Sequence, residues 1–160
     1  MKDLATDPAK HLFDRLADIT AGMLMTGPDT HIPMSHHADA ERGVLWFITA
    51  EGTEAHKAAI AGRDSHFLVA DRGAKLYADI SGQLQAVTDP ATLDDLWSRV
   101  TDAWFEDGRD DPSVRLLRFV PSKAEAWMTE GSAKFLFEIA RANLDDDHTP
   151  EVGEHRMITF

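Results

Sequence analysis

The chain has 160 residues, 43% of them hydrophobic, enough for one domain with its own core and a squeeze for two. A formal net charge of −12 sets the surface against nucleic acid and anionic membranes. With no cysteine, disulfides, thiolate metal sites, cysteine nucleophiles and iron–sulfur clusters are excluded. No apolar run reaches transmembrane length and the first seven residues lack the apolar stretch of a signal peptide, so a cytoplasmic protein is expected.

Thr6-Asp7-Pro8 is a helix start, a capping side chain followed by Pro in the first turn, and Leu12, Phe13, Leu16 and Ile19 carry an apolar stripe through about 7–19. Thr20 to Thr26 reads as a strand stopped by Gly27-Pro28-Asp29. A second strand spans His31–Ala38, turns at Asp39–Gly43, and leads into Val44-Leu45-Trp46-Phe47-Ile48-Thr49. Five consecutive apolar residues, four of them β-branched or aromatic, predict a strand buried on both faces. It ends in a hydroxyl, passes Gly52, and enters a helix with Thr53 as N-cap and a stop near Ala61-Gly62.

That junction is the first candidate site. Free amides at a helix start, the hydroxyls of Thr49 and Thr53, and Lys57 four residues on would suit a phosphate. A capped helix holding no ligand is the plainer alternative.

Ser65 to Ala70 is a further strand, followed by a turn at Asp71-Arg72-Gly73. From Leu76 to Val87 the apolar Leu76, Ala78, Ile80, Leu84 and Ala86 alternate with Asp79, Ser81, Gln83 and Gln85, and Gly82 predicts a bend or bulge. Asp89-Pro90 starts a helix carrying Leu93, Leu96, Trp97, Val100 and Trp104. After an acidic loop at 107–111 come a strand at Val114–Val120, a break at Pro121-Ser122, a short strand at Ala124–Met128 and a helix at Ser132–Asn143. The expected architecture is mainly β (α+β), a six- to seven-stranded antiparallel split barrel with peripheral helices. One domain would cover 1–143, and 144–160, with Asp145-Asp146-Asp147, would be a solvated, flexible acidic tail.

In this order the segments resemble the pyridoxamine 5′-phosphate oxidase-like, FMN-binding split β-barrel family, in particular its general stress protein branch. The resemblance rests on Pro33-Met34-Ser35, Leu45-Trp46-Phe47-Ile48-Thr49, Leu76-Tyr77-Ala78-Asp79-Ile80-Ser81-Gly82, Leu96-Trp97, Ala103-Trp104-Phe105, Asp110-Asp111-Pro112, Leu116-Leu117-Arg118, and Pro121 through Ala126-Trp127, across about residues 8–143.

It implies a homodimer with FMN in two clefts between subunits. Carried over position by position, Pro33, Met34 and Ser35 would line the flavin, and Phe47, Ile48 and Thr49 would pack beside the ring and reach toward the ribityl phosphate. Thr53 would cap the phosphate. Ser81, Gly82 and Gln83 would approach from their strand, while Trp97 and Trp104 would come from the partner subunit. FMN is the expected cofactor, and the sequence does not firmly separate it from FAD, since the difference lies beyond the phosphate.

Two departures stand out. Where many relatives place a basic phosphate ligand, this chain has Ala55, with Lys57 two residues later, and Ile32 stands where an Arg commonly precedes Pro-Met. A weaker cationic clamp predicts looser flavin retention. The Arg-x-His element of true pyridoxamine phosphate oxidases has no counterpart in Trp127-Met128-Thr129-Glu130-Gly131, so vitamin B6 oxidation is discarded.

Other readings are plainer. Trp97 and Trp104, seven residues apart, fit ordinary packing as well as partner or flavin contact. His31, His36, His37, His56 and His66 form no metal-binding pattern, and no metal is expected. No dinucleotide or P-loop glycine signature occurs, so any nicotinamide would dock transiently on the flavin. The leading expectation is a flavin-dependent oxidoreductase using NAD(P)H or another small reductant, with catalytic residues unnamed. The alternatives are a non-catalytic module holding a flavin, haem or deazaflavin for storage or sensing, and a structural dimer with an empty cleft.

Overall fold

The structure is a computed structural model that describes residues 7–129, 132–144, 149 and 153–160. The readings made on Met1–Thr6, on Glu130-Gly131 and on Asp145–Asp147 fall outside the described residues.

Helix α1 (Pro8–Leu16) starts as expected, with Asp7 accepting from the Lys10 amide and Pro at the first position, and it buries Leu12, Phe13 and Leu16. Strands β1 (Ala21–Gly27) and β2 (Thr30–Ser35) form a hairpin, and β3 (His37–Asp39) and β4 (Val44–Ala50) form another. The second strand read from sequence is therefore two. Between them His36 turns inward and its Nε2 bonds the Leu16 carbonyl at 2.8 Å.

That single residue closes the molecule. The sheet runs β2-β1-β5-β6-β7-β4-β3, so its two end strands are joined through His36 alone. A sheet whose ends are one residue apart must curl back on itself. Its path contains β5 (Asp64–Asp71), β6 (Leu76–Val87) and β7 (Val114–Thr129), with β8 (Gly153–Thr159) beside β7. All pairings are antiparallel, giving a curled, mainly β barrel of eight strands.

Further differences concern β7, the C-terminal segment and the helix after Asp89. The segments 114–120 and 124–128 are one strand, not two. β7 pairs β6 throughout, but its other neighbour changes from β4, last paired at Phe119, to β8, first paired at Lys123. Pro121 falls in that changeover, where a missing N–H is tolerated, and Ser122 is the bulge. Gly82 lies opposite because an added Cβ would come 2.4 Å from the Val120 carbonyl and 2.8 Å from the Phe119 ring.

Second, the expected solvated tail supplies β8. Ile158 is buried, and Phe160 meets Phe13 edge-to-face at 6.1 Å. Third, the helix after Asp89 is broken. α3 (Pro90–Leu96) ends at Trp97, whose ψ of 135° is extended, and α4 (Arg99–Asp102) follows. Trp97 and Trp104 therefore do not share a helix face. In β6, Ala86 is exposed instead of facing inward with Leu84. Helices α2 (Glu54–Ile60) and α5 (Ser132–Leu144) complete the set.

Strand β4 is buried on both faces, as read. Leu45 and Phe47 enter the barrel core with Phe67 and Phe119, while Val44 and Trp46 join Leu93 and Leu116 in a second cluster beneath α3. No helix among the described residues is long and apolar enough to cross a membrane.

Candidate functional site

At the β4–α2 junction two predicted site residues are joined by a side-chain hydrogen bond. Thr49 Oγ1 and Thr53 Oγ1 are 2.8 Å apart. Thr53 donates to the Ala50 carbonyl at 3.0 Å, so its only proton is used and Thr49 is the donor in the pair. Thr53 also accepts from the His56 amide as the N-cap, and His56 Nδ1 in turn accepts from the Gly52 amide. Gly52 has φ +78°, the left-handed conformation this tight turn requires.

The hydroxyls are thus satisfied within the chain. Thr49 is buried, and a ligand oxygen would obtain its proton only by turning it away from Thr53. Ala55, at the position expected to be basic in relatives, is fully buried in the core. Lys57 is exposed and bound to Glu54 at 2.9 Å, which holds the Glu54 carboxyl below its ordinary range.

Sequence reasoning missed the nearest cation. Across the β4–β7 ladder, Thr49 pairs with Arg115. Arg115 Nη1 donates to the Pro112 and Val114 carbonyls, both at 2.8 Å, and Nη2 lies 3.0 Å from Glu51 Oε1. Only the strand register brings position 115 beside position 49, and a single sequence does not display it.

The remaining predicted residues form separate groups within one subunit. Pro33 and Ser35 are exposed on end strand β2, and Met34 packs partly on the core. Phe47 is sealed against Phe67, ring centres 5.2 Å apart, and Ile48 packs on the cluster under α3, so neither side chain lines an open cleft of its own subunit. Ser81, Gly82 and Gln83 lie on β6, two strands away from β1 and three from β2. Gln83 donates to the Gly62 carbonyl, and Ser81 Oγ is 3.4 Å from His66 Nδ1, which also meets Asp79 at 2.6 Å. Trp97 packs on its own subunit and donates to Asp102 at 3.1 Å, whereas Trp104 is 83% exposed. Two open hollows, about 340 and 470 Å³, contain none of these residues. Among the described residues no three His, Asp or Glu side chains are grouped to hold a metal ion.

The outer sheet face carries an exposed aromatic row. Tyr77 pairs with Trp127 and Trp127 with His155, whose rings stack at 5.0 Å. Tyr77, Trp127 and Met157 are 43%, 44% and 63% exposed and share this face with the charged Asp79 and Glu125.

Fold and sequence together define the class. Residues 7–150 match the family described as pyridoxamine 5′-phosphate oxidase like, and the chain belongs to that family. Within it, the chain falls in the general stress protein branch. It is 46% identical to a Jannaschia sp. CCS1 protein whose crystal structure carries the name general stress protein 26, covering 96% of this chain and 99% of that one, with a TM-score of 0.89. A general stress FMN/FAD binding protein from Xanthomonas citri is 30% identical over 78% of this chain and 90% of its own, with a TM-score of 0.67. A Clostridium acetobutylicum protein related to general stress protein 26 shares the fold at 15% identity, covering 75% of this chain and 87% of its own, with a TM-score of 0.61. No curated protein matches.

Proposed function

We propose that two copies of this chain associate through the outer sheet face and hold a flavin, FMN or FAD, between them, as a flavin-dependent oxidoreductase. The observation that carries the proposal is the 30% identity, over most of both chains, to a protein named for FMN/FAD binding. At the β4–α2 junction an anionic tail would find the Arg115 guanidinium, one register pair from Thr49, and the Thr49 proton once it turned from Thr53.

When bound, the isoalloxazine would supply the redox chemistry, accepting electrons from NAD(P)H or another small reductant. The chain's own part is position and electrostatics. Exposed Pro33 and Ser35 on β2 would offer backbone and side-chain contacts to one edge of the ring, while Ser81 and Gln83 on the partner copy would close the other. The row Tyr77–Trp127–His155 would bury its rings against the second copy and keep water from the cleft.

Titrating the purified protein with FMN and FAD tests the binding, and mixing the loaded protein with NADPH or NADH tests the activity. Saturable binding at one flavin per subunit, followed by bleaching of the visible flavin band within seconds at about millimolar nicotinamide, is the expected result. Binding without bleaching would remove the nicotinamide-driven activity and leave a binding module.

A further inference from the structure

We propose that Arg115 is the residue that receives the flavin's phosphate, and that Glu51 is the anion it releases to do so. The proposal rests on the flavin reading above and adds two residues to that site.

The other donors of the turn are already spent. Thr53 gives its proton to Ala50, Thr49 gives its proton to Thr53, and Lys57 is tied to Glu54 on an exposed helix face. A phosphate arriving beside Thr49 would meet few uncommitted donors on the turn itself.

Arg115 differs. Its Cα partner is Thr49, and directly paired residues of an antiparallel ladder project to the same face. Two carbonyls hold Nη1, so the guanidinium is fixed in place by its own strand end. On the opposite edge, Nη2 meets the Glu51 carboxylate at 3.0 Å. That edge presents two parallel N–H groups, the geometry that binds an oxyanion in bidentate fashion. Glu51 comes from the same turn as Thr53, and its carboxylate is 62% exposed, so it can swing into water at little cost. In a chain of net charge −12, an arginine already neutralised by a movable carboxylate can exchange one anion for another without leaving a bare charge.

The test is a comparison of FMN with riboflavin, which lacks the phosphate, titrated against the wild-type chain, Arg115→Gln, Arg115→Lys and Glu51→Gln, with urea midpoints recorded for each. Arg115→Gln should weaken FMN about tenfold or more and leave riboflavin unchanged, and Arg115→Lys should recover only part of the loss. Glu51→Gln, an exposed change that leaves the core alone, should tighten FMN about two- to fivefold without affecting riboflavin. Unchanged FMN binding in Arg115→Gln, equal weakening of both ligands, or no effect of Glu51→Gln overturns the assignment while the flavin reading stands. A wild-type chain that binds neither ligand overturns both.

Discussion

Thr49 and Thr53 face each other across the β4–α2 turn with their hydroxyl oxygens 2.8 Å apart, and the direction of that hydrogen bond is fixed by the Ala50 carbonyl beyond it. The pair caps a helix first and can serve a ligand second. Thr53→Ala should therefore cost about 1 kcal/mol of stability through the lost cap, whereas Thr53→Ser should restore most of it. Urea unfolding reads both, and equal midpoints for Ala and wild type would contradict the capping role.

Gly82 marks where β6 passes the β7 bulge. A Cβ there would collide with the Val120 backbone, which cannot rotate away, and with the Phe119 ring. Gly82→Ala should cost about 1–3 kcal/mol by overpacking. A neutral result would mean that the two strands have room to separate.

His36 ties the barrel seam to α1. Burial lowers its pKa, partly offset by the Leu16 carbonyl, and among the described residues Nδ1 has no hydrogen-bond partner. The unfolded chain thus binds a proton at this position before the folded one does. Stability held above about pH 6.5 should fall as pH drops from that unfolded value toward the lower folded pKa. Burial lowers His37 in the same direction. His36→Gln, which retains a donor for Leu16, should flatten the slope as pH falls below about 6.5 in urea titrations. An unaltered slope would assign the pH dependence elsewhere.

The aromatic row on β6, β7 and β8 supports the two-copy arrangement. Trp127→Glu should raise the dimer dissociation constant about thirtyfold or more, since a central Trp commonly contributes 2 kcal/mol or more to an interface. Sedimentation velocity over a concentration series measures it. A wild-type chain that stays monomeric at high concentration would remove the interface.

Removing residues 153–160 should cost at least about 2 kcal/mol through the loss of Ile158 burial, besides the β7 ladder and the Phe13–Phe160 contact. The chain is expected to fold poorly without this strand.

Local signals were readable where they are covalently close. The cap-and-Pro starts at Asp7 and Asp89, the buried run Val44–Thr49, the N-cap Thr53 and the alternation of Leu76–Val87 all correspond to elements with nearly the expected bounds. What failed depended on neighbours distant in sequence. Pro121 signals a break, yet β7 continues through it because β6 supports the strand while its other partner changes. β8 reads as tail because it follows an acidic run and buries one residue, Ile158, after the polar Glu154, His155 and Arg156. The periodic stripe from Leu93 to Trp104 suggested one helix, but the extended Trp97 ends it. In the site, Thr49 and Thr53 were recognisable four residues apart, while Arg115 enters only through the β4–β7 register.

The most direct measurement is mass spectrometry of the small molecule released when gently purified protein is denatured. One FMN or FAD per chain is expected, with the yellow colour leaving the protein as it unfolds. A colourless preparation that takes up neither flavin would contradict it.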